Sequence, residues 1–379
     1  VNSTPEPVVD WSAAAGIAAH VAPPGPRATR DQIGELVEGL RDAAARAVPH
    51  VLQTTRLEPA GGVRHVVGGA QDGAPLLGQV AVVDRASWVR ANTQVMEAMT
   101  APVAATLGEE SVPTSDVARL GGAAEVGGLL AMLSSRVLGQ FDPYSALGTD
   151  ADAAGPGRLL LVAPNVLQVE RALDVHPADF RLWVCLHEQT HALQFAAAPW
   201  LAAHLRDRVG TLLEDLARTS IGFSRAPLRR KLVAAGRATY DVVAGVVRGD
   251  GPAPLDRLMT PAQKDELVEV TAVMALLEGH ADVMMDAVGP RVVRTVRTIR
   301  ARFDRRRAGE GAPGFDVVLR RLLGMEAKLA QYRDGARFVR AAEGIVGRDG
   351  LNAAFAAPEN LPSAREIADA PAWVRRVHG

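Results

Sequence analysis

One cysteine, Cys185, is present, so no disulfide can form within the chain. Lysine is scarce, and the formal net charge is −1 despite many arginines, so the overall basic footprint of a nucleic-acid binder is missing. Aromatic residues make up only 4%, which leaves aliphatic side chains and alanine to build the core. Every long apolar stretch carries Glu, His or Asp, which argues against a membrane span. The first residues hold no basic region followed by an apolar run, so no signal peptide is expected. These absences point to a cytoplasmic globular protein with neither nucleic acid nor membrane as partner; oligomeric state is not legible. A local exception is the run from Arg291 through Arg294, Arg297, Arg300, Arg302, Arg305 and Arg306 to Arg307. With Phe303 as its one aromatic, it reads as a solvated or acid-pairing helix face.

The hydrophobic fraction, 48% of 379 residues, is that of a chain able to bury a substantial core. Helical periodicity dominates. Segments 11–20, 31–47, 86–99, 116–139, 178–198, 200–216, 225–248, 319–340 and the stretch after Pro261 read as helices, the second ended by Pro49. Strand candidates are few: 64–67, 79–83 and, best of all, 157–165, where Leu159 to Ala163 is continuously apolar. The link at 140–145 reads as turn-rich, with a plain loop and a pocket role both open. The expected fold is therefore α+β, predominantly helical, with a small sheet. Three regions are expected: a helical 1–150 with a strand pair, a metal-binding core at 151–340, and an extension at 341–379 packed on that core. One continuous domain is the alternative.

The stretch that carries chemistry is Leu186-His187-Glu188-Gln189-Thr190-His191. Histidines four apart share one helical face and can grip a single zinc ion, with Glu188 beside them to take a proton from water. No Pro or Gly interrupts 178–198, so the helix the motif needs can form. Cys185 is offset from that face and reads as packing. His176, just before the helix, reads as a cap or a solvent-facing residue rather than a ligand. A third ligand is sought downstream, where Thr260 caps a helix opened by Pro261. Within its apolar run stand Glu278 and Asp282, four apart. Acids there are costly unless bound or paired. Glu278 reads as the third ligand and Asp282 as a hydrogen-bond partner to the far nitrogen of a ligand histidine. The competing reading pairs both acids with arginines, and His280 is the runner-up ligand. Gly279 would admit a second backbone at close range.

HExxH followed by ExxxD resembles the zincin metallopeptidases whose third ligand is a glutamate on a second helix, although 87 positions from His191 to Glu278 is a longer gap than usual there. More of the chain resembles an actinobacterial family of zincin-like hydrolases. The matching stretches are LGQFDP at 138–143, GRLLLVAPN at 157–165, DFRLWVCLHEQTHALQF at 179–195, LLEGHADVMMDAVGP at 276–290 and GMEAKLAQY at 324–332. Members are often labelled as associated with coenzyme F420 biosynthesis, but no deazaflavin site is visible here. The resemblance implies a zincin-like fold with the small sheet beside the metal helix. It implies one Zn2+ per chain held by His187, His191 and Glu278, Glu188 as general base and Asp282 behind the ligands. Zincins often add a Tyr or His that stabilises the tetrahedral intermediate; Tyr144, Tyr332 and His280 are the candidates. The expected activity is hydrolysis of a peptide or small amide. The alternative is a catalytically silent zincin-fold metal-binding or scaffold protein. An open groove along 158–163 would speak for protein substrates, and a closed pocket for small ones.

Overall fold

A computed structural model of the chain describes residues 9–61, 77–107, 116–145, 157–224, 259–307 and 330–379. The expected strand at 64–67 and helix at 225–248 lie outside these residues.

The chain begins with helix α1 (Trp11–Val21), whose first turn is closed by the Asp10 carboxylate accepting from the Ala13 N–H at 2.8 Å. Helix α2 (Arg30–Thr55) starts at a reciprocal capping box between Thr29 and Gln32. It does not stop at Pro49 as expected. Val51 and Thr55 beyond it are almost completely buried, and that burial outweighs the one backbone hydrogen bond a proline removes. The helix ends instead at Arg56, in the left-handed conformation.

Strand β1 (Gln79–Val83) follows, then helices α3 (Arg85–Leu107) and α4 (Asp116–Ser134). Strand β2 (Gly139–Asp142) lies where a turn was expected. Strand β3 (Arg158–Val162) runs straight into α5 (Ala163–Leu173), whose first turn contains Pro164. The sheet order is β1-β3-β2, with β1 parallel and β2 antiparallel to β3. The strongest strand in the sequence is thus the central one, with both edges occupied. It is therefore a buried core strand rather than an edge that could hold a substrate. Among the described residues, the unpaired edge beside the helical layer belongs to β2. Because the Val162 N–H bonds the Leu138 carbonyl at 2.9 Å, alternate residues 138, 140 and 142 turn their backbone groups toward β3. Those of Gly139 and Phe141 face away from it.

Helix α6 (Pro177–Ala197) sits at the centre of the molecule. His176 is its cap, its Nδ1 accepting from the Asp179 N–H, and Pro177 is the first helical residue. It packs against α2 on one side, against β2 on another, and against α8 (Pro261–Ala287) on a third. Phe180, Leu186 and Leu193 are wholly buried, each contributing about 1.5–3 kcal/mol of apolar transfer. The Arg181 guanidinium meets the Glu170 carboxylate with two bonds of 3.0 and 3.2 Å and ties α6 to α5. Helix α7 (Trp200–Ser224) follows α6 directly.

Helix α8 opens as the sequence predicts, with Thr260 and Gln263 forming a capping box and Pro261 in the first turn. The basic segment forms α9 (Val296–Arg307), and α10 (Ala330–Leu351) lies along α8. Two short helices, α11 (Ala364–Ala368) and α12 (Ala370–His378), close the chain, and Trp373 of α12 is buried in the main core. The protein is thus a predominantly helical α+β structure with a three-stranded sheet against α6. No helix among the described residues is long and apolar enough to cross a membrane.

The crossing of α8 and α10 is unusually tight. A β-carbon on Gly279 would lie 2.2 Å from the Gly335 carbonyl carbon, and one on Gly335 would lie 2.0 Å from the Ala275 oxygen. The two backbones therefore touch immediately beside Glu278, the close approach that Gly279 suggested.

Candidate metal centre

One helical turn separates His187 from His191, and both rings leave α6 on the face turned toward α8. Their Nε2 atoms stand 3.1 Å apart, the rings crossing at 86°. Across the gap, α8 delivers the Glu278 carboxylate. Its Oε2 lies 3.4 Å from His187 Nε2 and its Oε1 lies 3.6 Å from His191 Nε2. Among the described residues these three form the one group whose donor atoms converge as metal ligands. Two ligands each about 2.0–2.1 Å from a tetrahedral zinc are about 3.3–3.4 Å apart, so the separations match the edges of such a site. Two imidazole lone pairs aimed at each other across 3.1 Å repel unless a proton or a cation lies between them. The donor set therefore fits a divalent metal, with one carboxylate charge to offset it.

The charges around the centre are unequal. Burial presses His187 down, but the hydrogen bond to Glu278 and the Glu188 charge outweigh it and leave its pKa raised. His191 is lowered, chiefly by burial. Glu188 is 7% exposed, and burial above all pushes its carboxyl up to about 7. It leaves α6 toward β2, where its carboxyl group lies directly on Gly139. A β-carbon there would come within 2.6 Å of Glu188 Cγ and 2.9 Å of Oε1. Glycine at 139 is thus what lets a carboxylate stand between the metal helix and the strand edge.

Gln194, one turn beyond His191, was not singled out by the sequence. Its Nε2 donates to the Leu277 carbonyl at 2.9 Å and meets His280 Nδ1 at 3.0 Å. The carbonyl acceptor fixes which way the amide points, so Oε1 faces His191 Nδ1 at 2.9 Å. That contact places the proton of neutral His191 on Nδ1 and leaves Nε2 bare for a ligand role. Its only advance signal is its spacing of three from His191.

The remaining candidates divide. His280 is fully buried behind the ligands, pushed down to about 3 chiefly by burial, and packed against Phe355 at 5.2 Å. It is absent from the cavity wall, so it is placed neither as a ligand nor to face a substrate. Asp282 does reach the cavity, but its carboxylate takes the Arg300 guanidinium at 2.9 Å rather than a histidine nitrogen. Arg300 also binds Asp286 at 2.6 Å and lies over the Trp183 ring at 5.1 Å. The arginine-pairing alternative thus holds for Asp282, while Glu278 joins the histidines. Tyr144 lines the cavity, and burial pushes its phenol up to about 12. The side chain of Tyr332 lies outside the described residues. Cys185 is fully buried on the α2 side, its Sγ 3.9 Å from the Leu40 carbonyl, with burial raising its pKa.

The centre opens into a cavity of about 630 Å³. Trp183, Val184, Phe195 and the ligand rings form its α6 wall, and Met274, Leu277 and Met285 its α8 wall. Gly139, Gln140 and Phe141 of β2 form a third side. β3, where a substrate groove was sought, is not part of the lining. Glu278 is 39% exposed, so the centre is reached from solvent.

Two helices that converge three metal-type donors beside a buried carboxylate define a metallohydrolase of the HExxH class. The chain belongs to the zincin-like metallopeptidase family, whose family model matches residues 9–374. No curated protein matches it. Among solved structures, the chain is similar to a protein from Chloroflexus aurantiacus provisionally described as a hydrolase with a novel fold. The TM-score is 0.60 at 26% identity, over 97% of this chain and 98% of that one.

Proposed function

We propose that this protein is a zinc-dependent peptidase that hydrolyses peptide or amide bonds, with one zinc held by His187, His191 and Glu278. The observation that carries the reading is the convergence of those three donors at tetrahedral edge distances, with Glu188 beside them. Zinc in such a site supplies a Lewis acid for the substrate carbonyl and lowers the pKa of water. The protein's own part is proton traffic and positioning. Glu188, buried beside the ligands, is the group that accepts a proton from the attacking water at neutral pH and returns it to the leaving amine. Tyr144 stays a neutral phenol throughout that range and is the candidate donor to the oxyanion. The outward-facing backbone groups of Gly139 and Phe141 offer an extended substrate an edge to pair with. Gln194 holds His191 in its ligating tautomer, and Asp282 acts through Arg300 on the Trp183 wall.

The test is metal analysis of the purified protein together with a digest of an unbiased peptide library by parent and Glu188→Gln. Stoichiometric zinc and cleavage by the parent alone are expected. Stoichiometric zinc with no cleavage would replace this reading with that of a silent metal-binding protein on the same fold.

A further inference from the structure

We propose that Arg85, Asn165 and Asn92 are positioning residues for hydrolysis: they act on strand β2, which they hold at a fixed distance from Glu188. The inference rests on the peptidase reading, in which the outer edge of β2 pairs with the substrate.

Strand β2 has little of its own to keep it in place. It is four residues long, and among the described residues its one strand neighbour is β3. A short two-stranded ladder is marginal in water. Yet the position of β2 is tightly specified. Gly139 lies on the Glu188 carboxyl group with no room for a β-carbon, and Gly139 and Phe141 line the cavity. A shift of the strand by about 1 Å would move the substrate edge relative to the general base, a scale of misplacement that matters to rate.

Three polar contacts supply the missing hold, and all lead to α3. Before β2, the Asn165 amide in the first turn of α5 donates to the Ser134 and Val137 carbonyls at 2.7 and 2.6 Å. Its Oδ1 accepts from Arg85 Nε at 2.8 Å. At mid-strand, Gln140 and Asn92 exchange amide hydrogen bonds of 2.9 and 3.2 Å. At the far end, Arg158 donates to the buried Asp142 carboxylate at 2.8 Å and to the Ala91 carbonyl at 3.1 Å. Residues 85, 92 and 91 thus reach the start, middle and end of one strand from a single helix.

Arg85 is the costly member. It is 5% exposed, and among the described residues no carboxylate pairs with it. Besides Asn165, its guanidinium donates to the Pro23 and Pro24 carbonyls and to Gln168 Oε1, each at 2.7 Å. A cation buried among neutral acceptors is expensive, and apolar packing often serves stability as well or better. What the arginine gives is direction. Its charge on Oδ1 decides which way the Asn165 amide points, so both N–H groups face the turn before β2. The segment that receives it is itself fixed: a β-carbon on Gly25 would stand 2.8 Å from Pro164 Cβ.

The metal centre is built on the other side of the sheet. Leu159 and Leu161 of β3 join the core that holds α6 and α8, whereas Leu160 and Val162 join a second core with Trp88 and Val89 of α3. Placement of the substrate edge and binding of metal are therefore separable.

Asn165→Asp is the sharpest test. It keeps the shape and gives Arg85 a carboxylate, but turns an acceptor toward the Ser134 and Val137 carbonyls. Asn92→Ala, at a half-buried position, is the second variant should the first not fold. Each is zinc-loaded and measured for turnover per bound zinc on the library peptide that the parent cleaves fastest. Deuterium exchange is read at the Gln140 amide, which faces β3. The kcat should fall about 10–100-fold in Asn165→Asp and about 10-fold in Asn92→Ala, with zinc affinity within about twofold of the parent and faster exchange at Gln140. Adding Arg85→Lys to Asn165→Asp should cost little more, because both act through one amide. Parent-like turnover per zinc in both variants overturns the proposal. So does a loss confined to folding or zinc affinity, which is what a merely structural role predicts. If the parent cleaves no peptide, the peptidase reading fails by itself. Faster Gln140 exchange at unchanged zinc affinity then still supports the hold on β2, and unchanged exchange overturns it.

Discussion

A methyl group at position 279 has nowhere to go. Its nearest neighbours would be the Gly335 carbonyl carbon at 2.2 Å and the Ala336 nitrogen at 2.5 Å, both backbone atoms that no rotamer change can move. Ordinary contact begins near 3.4 Å, so Gly279→Ala requires α8 and α10 to separate by roughly 1.2 Å. Overpacking of this kind costs about 1–3 kcal/mol, here toward the upper end, and the better helix propensity of alanine returns about 1 kcal/mol. The net expectation is a loss of about 2 kcal/mol. The shift also carries Glu278, the preceding residue, relative to the histidines on α6. Metal affinity should therefore fall together with stability, whereas an ordinary core defect would lower stability alone. Gly344, also on α10, has nothing within 4 Å of its absent β-carbon, so Gly344→Ala should be neutral or stabilising by up to about 1 kcal/mol. Urea denaturation of the metal-free proteins gives the first quantity, and zinc titration against a competing chelator gives the second. A Gly279→Ala protein as stable as the parent, with unchanged affinity, would refute the claim that backbone contact at this crossing positions Glu278.

Three further outcomes are expected. Glu188→Gln should keep its metal and lose hydrolysis by about 10²–10⁴-fold, read as metal content and turnover on one preparation. In metal-free protein, the raised pKa of Glu188 means the folded state holds a proton that the unfolded state has released between pH 4.5 and about 7. Stability from this group is therefore lost as pH rises through that window, on the order of 3 kcal/mol, and denaturation curves of Glu188→Gln should lack that part of the slope. Gln194→Leu should weaken zinc about 10–100-fold by freeing the His191 tautomer, and chelator competition would expose an error here if affinity stayed at the parent value.

Much of the centre could be read from local pattern. Two histidines four apart on an uninterrupted helix share a face whatever surrounds them, and Glu278 stood out because a carboxylate inside an apolar run demands a partner. What escaped was set by contacts between distant segments. Whether β3 is central or at an edge depends on pairing with β1 and β2, which its own apolar run cannot report. β2 is four residues long, begins with glycine and is followed by proline, so it carried a turn's signature. Asp282 and Arg300 were each visible, but their pairing depends on how α9 docks against the Trp183 end of α6. Gln194 is neutral, and burying an amide gives no charge alarm of the kind that marked Glu278. Pro49 misled because helix propensity is local while the burial of Val51 and Thr55 is not.

The placement of both imidazoles on α6 also bears on how the protein opens. That helix is covered by α2, β2 and α8, with Leu186 and Leu193 at 0% exposure and Trp183 at 2%. Its amides should exchange with solvent deuterium only through global unfolding, whether or not metal is bound. Fraying therefore offers no route for the two histidines to part. Metal exchange in the native state would have to proceed from the other side, through the half-exposed Glu278 side chain, while both helices, equally buried at Leu186 and Leu276, stay in place.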